Sequence, residues 1–313
     1  MFLSSRFSQI LKYKHLILAT LAICIIIALT GIVVSPSYIY QTKNITFDKP
    51  QSSAKETNYQ EDKNNSNVIN NNDLSSLPIT FLVDTKQKNG TYPSIDYINQ
   101  IVRDTDYVAF SENSLLNNPQ NHISAIKHVK KGKIIQNFAS VKTASEYIAY
   151  VKDYIDVVSY DLEKWDKSFG EGSSIEKSSK DMRTLVDKYH FQLIGHLGVQ
   201  LATGRSGNPN SIEEMSKYSD GYGISLYPCL EQYSLNECVS MHKDMANRAK
   251  KANPSIFITV TVSVEKNITV NQHYQLLKIS APFIDGIGIF YNPQNPDSVK
   301  KFRELVNLIR GVP

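Results

Sequence analysis

The chain has 313 residues, 41% of them hydrophobic and 20% charged, with a formal net charge of +4. That is enough apolar material for a large buried core. The charge is small and holds no long Lys/Arg run, which excludes nucleic acid as an expected partner.

Leu16 to Val34 (LILATLAICIIIALTGIVV) carries no charge. At about 1.5 Å per residue it is long enough to cross a ~30 Å hydrocarbon core, so 16–34 reads as a transmembrane anchor. Arg6, Lys12 and Lys14 precede it closely, whereas Lys43 and Lys49 follow at a distance. The positive-inside rule then puts 1–15 in the cytoplasm and everything after the anchor outside the cell membrane. A cleaved signal peptide is the alternative, but its apolar region usually runs about 7–15 residues and ends in an A-x-A site, neither of which fits here.

Residues 35–77, for example SSAKETNYQEDKNNSNVINNNDLSS, have few large apolar side chains and read as a disordered, flexible linker. Cys24 falls in the anchor, leaving Cys229 and Cys238 as a pair in an oxidising compartment. A bridge between them is expected, with two free thiols as the alternative.

From 78 to 313, apolar runs of strand length alternate with amphipathic helical stretches. The runs are ITFLVD (79–84), YVAFS (107–111), KIIQNFAS (133–140), IDVVSYDLE (155–163), FQLIGHLGV (191–199), GYGISLYP (221–228), SIFITVTVSVE (255–265) and FIDGIGIFY (283–291). Helical patterns follow them near 93–103, 120–130, 142–152, 174–189, 211–217, 235–251, 270–280 and 297–310. Eight such units predict an α/β fold, a closed (β/α)8 TIM barrel. An open doubly wound sheet is the alternative, but VDTKQKNG after the first strand has no G-x-G-x-x-G, so no dinucleotide cofactor is expected.

In such a barrel the chemistry sits at the C-terminal ends of the strands. Strand alternation puts Ser159, Asp161 and Glu163 on one face, so Asp161 lies one layer beneath Glu163. Two carboxylates that close raise each other's pKa, and burial raises them further, which suits acid catalysis near neutral pH; a surface strand end paired with lysines is the bland alternative. The seventh run aligns Thr259, Thr261, Ser263 and Glu265. Asp84 and Asn137 end other strands, and Trp165, Tyr227, Phe290 and Tyr291 supply aromatic faces that suit sugar rings. His196 reads as a core histidine, and no second His or Cys stands at ligand spacing, so neither a metal nor any other cofactor is expected. The lack of a G-x-S-x-G elbow argues against serine hydrolysis.

DVVSYDLE, Asp156 to Glu163, resembles the D-x-x-D-x-D-x-E signature on the fourth strand of family 18 glycoside hydrolases, the chitinase-like barrels, with Ser159 at the second acid position. The resemblance implies that Glu163 protonates the glycosidic oxygen, that Asp161 orients an N-acetyl group acting as the nucleophile, and that Tyr227 holds the acetamido oxygen. Val157 stands where the family has Gly, IIQNFAS lacks its S-x-G-G motif, and Tyr291 replaces its Trp. Two further readings fit these residues. One is a retaining mechanism with Glu163 as acid/base and Glu265 as nucleophile, for which carboxyl groups about 5–5.5 Å apart are required. The other is a non-catalytic carbohydrate-binding or scaffold barrel on the cell surface. In each case the expected partner is a glycan, with Asp84, Asn137, Trp165 and Tyr291 contacting it.

Overall fold

The computed structural model of the protein describes residues 73–163 and 170–311. The anchor expected at 16–34, the cytoplasmic segment 1–15, most of the linker, Trp165 and Cys24 lie outside those residues. Among the described residues no helix is long and apolar enough to cross a membrane.

Eight strands form in the order expected: β1 (Ile79–Val83), β2 (Tyr107–Phe110), β3 (Lys133–Phe138), β4 (Val157–Leu162), β5 (Gln192–Leu197), β6 (Gly221–Ile224), β7 (Phe257–Ser263) and β8 (Gly286–Phe290). Each pairs with its sequence neighbour, and β1 pairs in parallel with β8, which closes the barrel. Helices cross over between the strands, and their starts carry recognisable signals. Ser234 and Thr269 form capping boxes with Glu237 and Gln272, Ser140 caps the helix Val141–Val151, and Pro93, Pro119 and Pro296 open three others.

The strands bury both faces, as parallel strands do. Their outer face, with Phe81, Phe110, Phe138, Tyr160, Leu162 and Tyr222, packs beneath the helices in the main core. Their inner face forms a separate small cluster of Ala109, Ile135, Val157 and Ile194, joined by Leu82 and Tyr107. The inner positions of β6 and the first two of β8, Gly286 and Gly288, are glycines, and the neighbouring strands fill the space they leave. A Cβ at Gly221 would lie 3.1 Å from Ile194 Cγ1, one at Gly286 2.9 Å from Phe257 Cζ, and one at Gly288 2.9 Å from Thr261 Cγ2. The polar column of β7 is therefore part of the packed interior: Thr259 and Ser263 are buried and Thr261 is half-buried.

The floor of the barrel carries a fourfold device. Asp106, Asp156, Asp220 and Asp285 directly or closely precede β2, β4, β6 and β8. Each accepts a hydrogen bond from a backbone N–H at the start of the preceding strand: Ile79 at 2.8 Å, Ile134 at 2.7 Å, Leu193 at 2.8 Å and Ile258 at 2.9 Å. Fully buried Asp106 also pairs with Arg310, which donates to the carbonyls of Ser75 and Leu77. This ties the last helix, Pro296–Arg310, to the chain entering β1. The linker reading to residue 77 therefore runs too far. Leu74–Ser76 form a turn capped by Asp73, with Leu74 buried in the core, because a single leucine and two arginine-bound carbonyls suffice to dock it.

After β6 the chain makes a short turn, Cys229–Gln232, before the helix Leu235–Ala252. Cys229 and Cys238 are disulfide-bonded across it, with their Cα atoms 5.8 Å apart.

Candidate active site

Because Val157 faces inward, period-two alternation carries Ser159, Asp161 and Glu163 up the inner face of β4 to the C-terminal mouth. Ser159 is buried, while Asp161 and Glu163 are half-buried. Neither carboxyl has a hydrogen bond or ion pair among the described residues. Burial pushes Asp161 up to about 6. Burial and, secondarily, the charge of Asp161 push Glu163 up to about 7. Between those values Glu163 still carries its proton while Asp161 is ionised, so the mouth holds one proton donor beside one acceptor.

β5 shapes the ground under both acids. In the β4–β5 register Asp161 pairs with His196, and Gly198 follows two residues on, its N–H donating to Leu162 O at 2.9 Å. The Glu163 carboxyl folds over Gly198, where an added Cβ would stand 2.6 Å from Glu163 Cδ and closer still to Oε2. His196 is half-buried, also unbonded among the described residues, and pushed down to about 4 by burial. It is not the satisfied core histidine that the sequence suggests. Register with Asp161 is what makes it part of the site, and no local pattern encodes register.

The other residues singled out from the sequence are dispersed. Asn137 is half-buried on the inner face of β3, in register with Ser159. Asp84 follows β1 and is engaged by Lys86 N at 3.0 Å and Gln294 Nε2 at 3.4 Å, bracing two loops. Tyr227 lies beyond the end of β6, half-buried, with its ring 5.9 Å from that of Phe290.

Tyr291 is turned the wrong way for a sugar contact. One step past inward-facing Phe290, it points into the helix layer, buried, stacked on Phe302 at 4.0 Å and bonded to Ser94 Oγ at 2.8 Å. Phe290 is the aromatic that β8 offers the mouth. Glu265 is likewise displaced from its expected place: β7 ends at Ser263, so the alternation that would aim it inward stops short, and Glu265 stands exposed in the following turn. Asp156 belongs to the floor device at the opposite end from Glu163.

Among the described residues no three His, Cys, Asp or Glu side chains are grouped to hold a metal ion. No protein-family model matches the chain, and no curated protein matches it. Solved structures do. A family 18 chitinase from Pseudoalteromonas aurantia superposes with a TM-score of 0.52 at 14% identity, over 74% of this chain and 100% of the chitinase. A Bacteroides thetaiotaomicron protein assigned as an alpha-L-fucosidase superposes with a TM-score of 0.50 at 11% identity, over 82% of this chain and 100% of the other. At such identities the likeness is one of fold alone: the chain shares the (β/α)8 barrel of these proteins.

Proposed function

We propose that the protein is a glycoside hydrolase held on the outer face of the cell membrane by Leu16–Val34, cleaving a polysaccharide that contains N-acetylhexosamine. Glu163 is the general acid and Asp161 its helper. The observation that carries this reading is the pair itself: two half-buried carboxyls on one strand at the barrel mouth, without a hydrogen bond among the described residues, the outer raised to about 7 and the inner to about 6. Asp106, a structural carboxylate, is bonded, whereas these two have no hydrogen bond or ion pair among the described residues, as a site awaiting substrate requires.

The substrate-assisted route is favoured over double displacement, because Glu265 stands exposed beyond β7 while Asp161 lies next to the acid on β4. A second reading, a barrel that binds glycans without cutting them, draws on buried Ser159, which puts no acid beneath Asp161.

The test is incubation of the chain with chromogenic glycosides and with chitin and peptidoglycan fragments, wild type beside Glu163→Gln. Hydrolysis that depends on Glu163 supports the enzyme. Binding without hydrolysis supports the second reading, and hydrolysis undiminished in Glu163→Gln sinks the role of Glu163.

A further inference from the structure

The floor of the barrel, opposite the mouth, carries a charged surface. From the end of the helix Pro119–His128 to the first residue of β3 stand Lys127, Lys130, Lys131 and Lys133, and Lys152 follows the helix Val141–Val151. All five are exposed, and none has an ion pair among the described residues. Elsewhere on the floor, by contrast, Arg183 pairs with Asp220 and Lys250 with Asp285.

Three consecutive loops join into this surface. The Lys130 N–H donates to Asn99 Oδ1 at 2.9 Å, and Asn99 Nδ2 to His128 O at 3.0 Å. Gly132, at φ +84°, packs so closely on the loop entering β2 that an added Cβ would lie 3.1 Å from Asp106 O. The Lys127 ammonium lies 4.7 Å from the centre of the Tyr154 ring, which brings in the loop entering β4. Arg103 adds a sixth cation, and Asp104, Asp153 and Asp156 are the carboxylates set among them, Asp106 being paired with Arg310. Positive charge is therefore in excess.

The chain enters the barrel on the same face. Arg103 donates to Ser75 O at 2.7 Å, within the segment that leads into β1. Residues 35–72 separate that segment from Leu16–Val34, and a flexible chain of such length averages about 35 Å end to end. Basic loops beside the point of tethering meet the bilayer at high effective concentration, so a modest attraction suffices to hold them there.

We propose that these floor loops rest on a bilayer of anionic lipid headgroups, which turns the mouth of the barrel away from the membrane. The inference rests on the anchor in the function proposed above and not on its chemistry. The full chain is reconstituted in vesicles of phosphatidylcholine or of phosphatidylglycerol, and outward-facing lysines are acylated with a membrane-impermeant reagent and read one by one by mass spectrometry.

The expected result is that Lys127, Lys130, Lys131, Lys133 and Lys152 react at least about fivefold more slowly on phosphatidylglycerol, the factor that one basic charge near an anionic bilayer supplies. Lys177 and Lys300, exposed near the mouth ends of their helices, should react alike on both lipids. Raising salt from about 0.1 to about 1 M cuts the screening length from about 10 to about 3 Å and should abolish the difference. Lys130→Glu with Lys131→Glu should abolish it too, and the wild-type footprint stands whatever that variant does. Equal reactivity of the five on both lipids, or a slowing that Lys177 and Lys300 share, overturns the proposal. So does protection by soluble dextran sulfate where phosphatidylglycerol gives none, since the patch would then take a polymer.

Flotation separates the two readings. A chain that floats with phosphatidylcholine but shows no lipid-dependent footprint keeps the anchor and loses the patch. One that floats with phosphatidylglycerol alone keeps the patch and loses the anchor.

Discussion

Gly198→Ala isolates the position of the proposed acid, Glu163, from everything else in the barrel. Gly198 has φ −56° and ψ 151°, a conformation alanine adopts freely, so the backbone should not object. The added methyl would stand 2.6 Å from Glu163 Cδ, and carbon atoms in ordinary contact are about 3.5 Å apart. The carboxyl must therefore retreat by about 1 Å. A displacement of that size at a reacting group costs about a hundredfold in rate, about 2.7 kcal/mol of barrier. The assay is kcat/KM on the best chromogenic glycoside, with thermal unfolding measured in parallel. The expected outcome is a hundredfold loss with Tm nearly unchanged. Gly195→Ala on the outer face is the contrast: it drives a methyl into Met215, 2.5 Å from Cγ, and should lower Tm instead. A Gly198→Ala enzyme within twofold of wild type would refute the placement of Glu163 as the acid.

Activity should follow a bell against pH. The rising limb near 6 marks ionisation of Asp161, the falling limb near 7 marks loss of the Glu163 proton, and the profile of kcat/KM reads both. His242 is buried behind β6 and β7, with neither ring nitrogen partnered among the described residues and its pKa pushed down to about 4 by burial. The unfolded chain takes up its proton near 6.5, so the stability tied to neutral His242 is complete above that pH and is lost on acidification toward 4, on the order of 3 kcal/mol. His242→Leu should remove that part of the acid loss, read as the difference between urea midpoints at pH 7 and pH 4.5. Asp156→Ala strips one floor bond from Ile134 N and should cost about 1 kcal/mol of stability while leaving kcat/KM unchanged.

The barrel was legible because its signals are local. Alternating apolar runs such as FITVTV and capping pairs such as Ser234 with Glu237 sit within a few residues of one another, and counting them yields the architecture. The site was legible only as far as one strand reaches. Asp161 and Glu163 share a face of β4 by parity alone, but their neighbours His196 and Gly198 are set by the β4–β5 register, which depends on how two distant segments slide together.

Where expectations failed, the end of a strand was the cause. Alternation continues through Val264 and Glu265 although the β7 ladder has stopped, and one residue beyond Phe290 is enough to turn Tyr291 from the mouth to the helices. Asp156 shows the opposite hazard. It matches the first acid of the family motif, yet its bond to Ile134 N belongs to a pattern that Asp106, Asp220 and Asp285 repeat around the floor. That match says barrel, not chemistry.

The central claim is that burial and Asp161 hold the Glu163 proton near neutral pH, and it can be measured without knowing the substrate. The chain is labelled with carboxyl-13C glutamate, the Glu163 signal is identified by its loss in Glu163→Gln, and its shift is followed from pH 3 to pH 9. The account predicts a midpoint near 7 that falls in Asp161→Asn, as removal of a neighbouring negative charge requires. A midpoint in the ordinary carboxylate range near 4.5, indifferent to Asp161, would contradict it.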